Sequence, residues 1–324
     1  MKRYIYLDNI CGILILNMIF VVHLSSWANF HPQWNETVAH VFSFFMFWFF
    51  FKGGMMFHNK PIAESVKKGF QRLVIPYIVF TFIGVAWELY TAIRIGNLNK
   101  NWIYIEITTI RDYQCCWTSM ACWFLISLFF VRILFQIIYN RTHQLYTITI
   151  GLVVALVMNL VSSSNVSFPP YYIGNISLGL AFYSLGFYLK ELQFNRFLFI
   201  LALCIFLLKF ILPSHIDFRA NTCTGNYVLA VTYGLAGCIV FNNLFKEYVN
   251  RNIFIITHIG KISMVYYLVH YPAAKIFQAI EKDFLSSQNE TIRYWIIAIF
   301  LFFILILSDI IYKYNKKIRF IVGG

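Results

Sequence analysis

The sequence predicts an all-α fold, a polytopic transmembrane helical bundle of about ten spans with both termini in the cytoplasm. Its composition, its long apolar runs and the placement of its basic residues point there together. Of the 324 residues 60% are hydrophobic and only 12% charged, and the mean hydropathy is +0.68. A soluble domain is about 45–50% apolar and about 25% charged. No single aqueous core hides this much apolar surface, which excludes a soluble enzyme. The apolar residues come in runs rather than in alternation, which argues against an outer-membrane barrel and against disorder.

A hydrocarbon core needs about 20 mostly apolar residues per helix. Ten segments qualify: 10–29, 39–57, 73–93, 119–139, 145–163, 170–189, 197–212, 227–243, 253–274 and 294–312. The weakest are 170–189, which carries Gly and Asn, and 197–212, which is short. Met1-Lys2-Arg3 resembles the start of a secretory signal, but no small-residue cleavage site follows, so the first helix is expected to stay as an anchor.

An even number of spans puts both termini on one side. Fifteen of the 26 Lys and Arg fall on that side, among them Lys2, Arg3, Lys60, Lys67, Lys68, Arg72, Lys313, Lys316, Lys317 and Arg319. Seven fall opposite, and the connections 30–38 and 164–169 hold none. The positive-inside rule then makes the basic side cytoplasmic. Much of the formal net charge of +13 is therefore a topology signal, which leaves little for a nucleic-acid partner to explain.

The chain reads as one integral-membrane domain, 1–324, without an appended soluble domain. Its longest loops, 94–118 and 275–293, fall on the outer side and suit short interfacial helices. Of the seven cysteines, Cys223 is on the same predicted side as Cys115 and Cys116, so a disulfide to either is open, while the spacing matches no metal site.

Ionisable residues are costly in a bilayer, so each one inside a span is a functional candidate. They are His23, Glu88, Arg132, His270 and Asp309. His23 lies past the middle of its span, roughly 20 Å from Asp8 at 1.5 Å per residue. It is either a reactive group or a hydrogen-bonding packing residue. By position alone His270, beside Tyr266, Tyr267 and Tyr271, fits an aromatic belt. Glu88 and Arg132 are expected to partner other charges in the bundle interior and Asp309 a nearby Lys, and none of the three is assigned a catalytic role. Lys67, Lys68 and Arg72 precede Pro76 at the inner edge, and Lys52 precedes Gly53 and Gly54. These cations either anchor and snorkel to headgroups or clamp a phosphate at the cytoplasmic mouth. A Walker A loop, a dinucleotide-binding glycine fingerprint, HExxH, CxxC and His-x4-Asp are all absent from the sequence. ATP-driven transport and metal-dependent hydrolysis therefore lack support.

Several motifs, in order, resemble those of acyltransferase family 3, bacterial integral-membrane acyltransferases of about ten helices that include polysaccharide O-acetyltransferases. The opening Tyr6-Leu7-Asp8-Asn9-Ile10-Cys11-Gly12, followed by an apolar run to His23, is similar to the family's start. Phe49-Phe50-Phe51-Lys52-Gly53-Gly54, Arg72-Leu73-Val74-Ile75-Pro76-Tyr77, Trp123-Phe124-Leu125, and Gly260-Lys261-Ile262-Ser263 with Tyr267-Leu268-Val269-His270 resemble its later motifs. The chain departs from the pattern at Cys11, where Arg or Lys is usual, at Lys52, where Ser is usual, and at Lys67 and Lys68, where a second Arg is common. The Gly12-to-His23 spacing is one residue long.

The resemblance implies transfer of an acetyl or other short acyl group from cytoplasmic acyl-CoA, a co-substrate rather than a tightly bound cofactor. The acceptor would be a hydroxyl of a cell-surface or lipid-linked glycan, and the site the bacterial inner membrane. His23 and His270 become the catalytic candidates, His23 as base or acyl carrier. Arg72, Lys68 and Lys52 become the candidates for the CoA phosphates. Ser263 and Tyr267 share a helix face with His270 and become acceptor candidates. Trp27 and Trp34 either stack on sugar or join an aromatic belt. The competing function is a transporter or flippase of a lipid-linked glycan, which would line a path with the same polar residues.

Overall fold

The computed structural model describes residues 4–28, 30, 32–96, 100–163, 172–190, 196–284 and 289–323. Lys2, Arg3 and the predicted outer connection 164–169 lie outside these residues. The chain is helical nearly throughout. The first helix comprises α1 (Ile5–Leu16), a π-helical turn (Asn17–His23) and α2 (Leu24–Ala28). Then follow α3 (Gln33–Val41), α4 (Phe45–Met55), α5 (Ile62–Gly69), a second π turn (Phe70–Val74), α6 (Ile75–Arg94) and α7 (Lys100–Tyr113). A 3-10 turn (Trp117–Cys122) leads into α8 (Trp123–Ile138), α9 (Gln144–Ser163), α10 (Tyr172–Leu189) and α11 (Arg196–Leu208). After the short strands β1 (His215–Asp217) and β2 (Thr222–Thr224) come α12 (Tyr227–Tyr248), α13 (Phe254–Lys261), α14 (Ser263–Phe284), α15 (Glu290–Tyr314) and α16 (Lys316–Ile321).

Seven stretches among the described residues are long and apolar enough to cross a membrane: Ile5–Ala28, Gln33–Met55, Ile62–Arg94, Asn101–Ile138, Gln144–Ser162, Tyr227–Tyr248 and Glu290–Tyr314. The other three predicted segments are helical but differ in kind. The 170–189 segment is α10, which lies between α4, α8 and α9 and carries Asn175 and Ser184 in its buried face. The 197–212 segment is the shorter α11. The 253–274 segment breaks at Ile262 into α13 and α14. Of the two loops predicted to be outer, 94–118 contains α7, and α14 extends into 275–293 as far as Phe284.

The faces of α15 point to a bilayer. Ile297, Leu301 and Leu305 make a buried stripe at helical spacing, while Phe302, Phe303, Leu307 and Ile310 are exposed. A helix apolar all round but buried on one side needs an apolar solvent on the other. Inside, the elements meet through aromatic side chains: Phe44 lies 4.6 Å from Phe241, Phe47 4.6 Å from Phe182 and Phe57 4.8 Å from Phe135, ring centre to ring centre. Such pairs contribute about 0.5–1.5 kcal/mol each beyond burial.

The α1–α13 crossing is close enough to require glycine. A Cβ on Gly260 would stand 1.8 Å from the Asp8 carbonyl oxygen, and one on Gly12 would stand 2.2 Å from that of Ile256. Asn9 locks the crossing, its Nδ2 donating to the carbonyls of Val249 and Arg251 and its Oδ1 accepting from Thr257 Oγ1 at 2.5 Å. At the other end of the bundle β1 and β2 form an antiparallel hairpin with Ile216 opposite Cys223. Its Phe218 enters the core between Phe47, Phe50 and Trp123. The side chains of Asn159 and Asn221 tie α9 to this loop, each donating to the other element's backbone.

Candidate active site

Both π turns have a visible cause or consequence. Pro76 has no N–H for the Arg72 carbonyl four residues earlier, and the helix widens over Phe70–Val74. In the turn that ends at His23, Val21 presents its carbonyl sideways. Ser25 Oγ donates to it, and so does Asn35 Nδ2 at 3.2 Å. Asn35 also donates to Ser25 Oγ, which clamps α3 against the turn that carries His23.

His23 Nδ1 lies 2.9 Å from His270 Nε2, with the ring planes 3° apart. His270 is fully buried, and its Nδ1 is 3.1 Å from the Tyr266 carbonyl oxygen. A carbonyl only accepts, so His270 Nδ1 carries the proton. In the neutral ring Nε2 then holds the lone pair and accepts from His23 Nδ1–H. That leaves the Nε2 of His23 with its own lone pair. Trp27 and Tyr271 pack around the pair at 5.5 and 5.3 Å from the His23 ring.

His23 lines a cavity of about 540 Å³ at the hairpin end. Glu36, His40, His215, Asp217 and Arg219 supply its other ionisable walls, with Trp123 and Phe218 as aromatic ones. Behind it Lys209, fully buried, donates to the carbonyls of His40 at 2.5 Å and Val41 at 2.8 Å and so caps the end of α3. The His215 side chain is exposed on the cavity wall. Partial desolvation by the surrounding protein lowers its ring below the ordinary imidazole range, with Asp217 opposing and His40 and Lys209 reinforcing the shift.

At the opposite end, beside α5 and α16, lies a second cavity of about 650 Å³, lined by Lys60, Lys68, Arg72, Arg132, His58 and Phe320 among others. Glu64 pairs with Lys60 at 3.2 Å and Lys68 at 2.6 Å. Between the two ends is a smaller apolar cavity of about 220 Å³ that includes Lys52, Phe124 and Ser263. It shares Gly53, Met56 and Leu128 with the basic cavity and Tyr267 with the His23 cavity.

The structure thus brings His23 to His270, and Arg72 to Lys68. Lys52 and Ser263 line the apolar cavity instead, and Lys52 sets its ammonium 5.3 Å from the Trp48 ring. Tyr267 is buried, and its hydroxyl donates to the Ala121 carbonyl. Trp27 is buried against the histidine pair rather than in the cavity wall. Asp309 pairs with His258 at 2.9 Å, not with a Lys, because α13 brings that ring to it. Glu88 accepts from the Thr118 backbone N–H. The cysteines are free thiols: Cys116 Sγ is 2.8 Å from Ser119 Oγ, and Cys223 is away in the hairpin, so the disulfide left open by the sequence does not form. Among the described residues no group of three or more His, Cys, Asp or Glu could hold a metal ion.

Sequence reasoning missed Arg132, Phe320 and the cavity groups Glu36, His40, His215, Asp217 and Arg219. Arg132 was noticed as an intramembrane charge but not joined to Arg72. The others sit in loops and helix ends where polar residues are unremarked.

The family model described as an acyltransferase domain matches residues 4–313, nearly the whole chain. No curated protein and no solved structure matches the chain.

Proposed function

The chain belongs to this acyltransferase family, and from that premise we propose that it moves an acetyl or other short acyl group from acyl-CoA to a hydroxyl of a cell-surface or lipid-linked glycan, with His23 as the base. The observation that carries the reading is the relay from the Tyr266 carbonyl through His270 to His23 at the wall of a cavity. It leaves a basic nitrogen where an acceptor enters. His23 Nε2 takes the hydroxyl proton as the oxygen attacks the thioester carbonyl carbon. The tetrahedral centre collapses, the C–S bond breaks, and the imidazolium returns the proton to the leaving CoA thiolate. A positioned base of this kind contributes roughly 10²–10⁴-fold.

The basic cavity supports the donor half of the proposal. Lys60, Lys68, Arg72 and Arg132 present cations to phosphate oxygens, and the guanidinium forks suit them best. The apolar cavity offers a place for the uncharged pantetheine arm on the way to His23. In this arrangement ten spans hold both termini and the basic cavity on the cytoplasmic side of a bacterial inner membrane. The hairpin and its cavity face outward.

Mass spectrometry of the surface glycan from cells with and without the protein tests the class. A mass lower by one acetyl or succinyl without the protein, reproduced by His23→Ala at normal protein level, is the expected result. An unchanged acyl content overturns the enzyme reading. Glycan export that needs no acyl-CoA would replace it with transport.

A further inference from the structure

We propose that the ring of Phe320 is the platform on which the adenine of acyl-CoA stacks, so that the C-terminal tail forms a wall of the donor site. This rests on the reading of the basic cavity as the donor site and adds to it a residue about 250 positions from Arg72.

The tail has a defined backbone course. Asn315 interrupts the helix after α15, and its side chain accepts from the N–H groups of Lys317 and Ile318, which starts α16. Arg319 turns back over α15: its Nη2 donates to the Lys313 carbonyl at 2.8 Å and its guanidinium sits 5.4 Å from the centre of the Tyr312 ring. Val322 is buried and fastens the end of the tail to the bundle. Gly323, at φ +81°, then lies against the Arg72 backbone, so close that a Cβ would stand 2.5 Å from the Arg72 carbonyl oxygen. This is the carbonyl that Pro76 cannot serve as an N–H donor. The π turn that carries the arginine and the end of the tail therefore fit one another.

Phe320 is set apart from these anchors. It is 49% exposed, although Ile318 on the same short helix and Val322 just after it turn inward, and it lines the cavity that holds Lys60, Lys68, Arg72 and Arg132. An aromatic face beside a cluster of cations matches a ligand with both a planar base and several phosphates. Acyl-CoA has both at one end: a purine, a 3′-phosphate and a pyrophosphate. A purine stacks on an aromatic side chain through its π-face, and the cations take the phosphates. A free phosphate or a lipid headgroup would use the cations alone and leave the ring without a task.

The test uses the purified full-length protein in detergent and three probes: CoA, 3′,5′-ADP, which keeps the adenine but lacks the arm, and 4′-phosphopantetheine, which keeps the arm but lacks the adenine. Phe320→Leu retains apolar bulk and removes the π-face, while Phe320→Trp retains the face. The expected result is about a 10-fold rise in Kd for CoA and for 3′,5′-ADP in Phe320→Leu. The Kd for 4′-phosphopantetheine should not change, and Phe320→Trp should bind all three as the wild type does. An unchanged Kd for CoA in Phe320→Leu overturns the proposal. So does an equal loss for 4′-phosphopantetheine, which would mean that the ring only shapes the pocket. If the wild-type protein binds none of the three, the donor reading beneath the proposal falls instead.

Discussion

In the proposed mechanism a backbone carbonyl decides which nitrogen of His23 is reactive. Because Tyr266 C=O can only accept, His270 is held as the Nδ1–H tautomer, and His23 must donate from Nδ1. In that mechanism His270 positions His23, and its replacement should separate orientation from chemistry. In His270→Ala the acceptor for His23 Nδ1–H is gone, and turnover should fall about 10²-fold with little change in the KM for acyl-CoA. His270→Gln puts a carbonyl oxygen near the lost Nε2 and should recover part of that loss. Initial rates with acetyl-CoA in proteoliposomes check both. Equal activity of the Ala and Gln variants would remove the relay from the mechanism.

Helix crossings and the hairpin govern how well that pair is held. Gly260 lies where α13 meets the backbone of α1, so Gly260→Val forces the two helices apart. Overpacking of this kind costs about 1–3 kcal/mol, and the thermal unfolding midpoint in detergent should drop by several degrees. A pH response is expected of the hairpin. Partial desolvation lowers the exposed His215 ring below the usual imidazole range, with Asp217, His40 and Lys209 facing it. Its packed form therefore resists a proton that a loosened hairpin takes up freely near pH 6.5. The stabilising difference is complete above that pH and is lost as the pH falls below it. Amide exchange in residues 213–226 should be faster at pH 5.5 than at 7.5, and His215→Leu should flatten the difference. Rates that match at both values in the unmodified protein would refute it.

His23 and His270 stood out because an ionisable group in an apolar run has no bland reason to be there. Their contact and the Tyr266 carbonyl behind it did not, since a backbone acceptor leaves no trace in a side-chain pattern. The hairpin escaped notice because strands of three residues are too short for an alternation to register. Helix α10 is legible as an apolar run, but which neighbours its buried Asn175 and Ser184 face is not. Arg132 and Phe320 join Arg72 only through the packing of α8 and the tail against α5 and α6, and no local spacing encodes that.

Across the whole molecule the proposed chemistry requires bringing reagents from opposite ends to one imidazole. The basic and apolar cavities share Gly53, Met56 and Leu128, and the apolar and hairpin-end cavities share Tyr267. Tyr267 is also fixed by its hydroxyl to the Ala121 carbonyl. Leu128 is therefore the side chain at which to interrupt the route without touching a charged group or the histidine pair. Leu128→Trp places a bulky ring in a space of about 220 Å³. If the pantetheine arm threads this neck, the variant should retain the wild-type affinity for 3′,5′-ADP and lose most acyl transfer. Binding and transfer then come apart in one protein, which a general loss of folding cannot mimic. Full transfer by a folded Leu128→Trp protein would mean that the thioester reaches His23 by another path, and the linked cavities would lose their place in the mechanism.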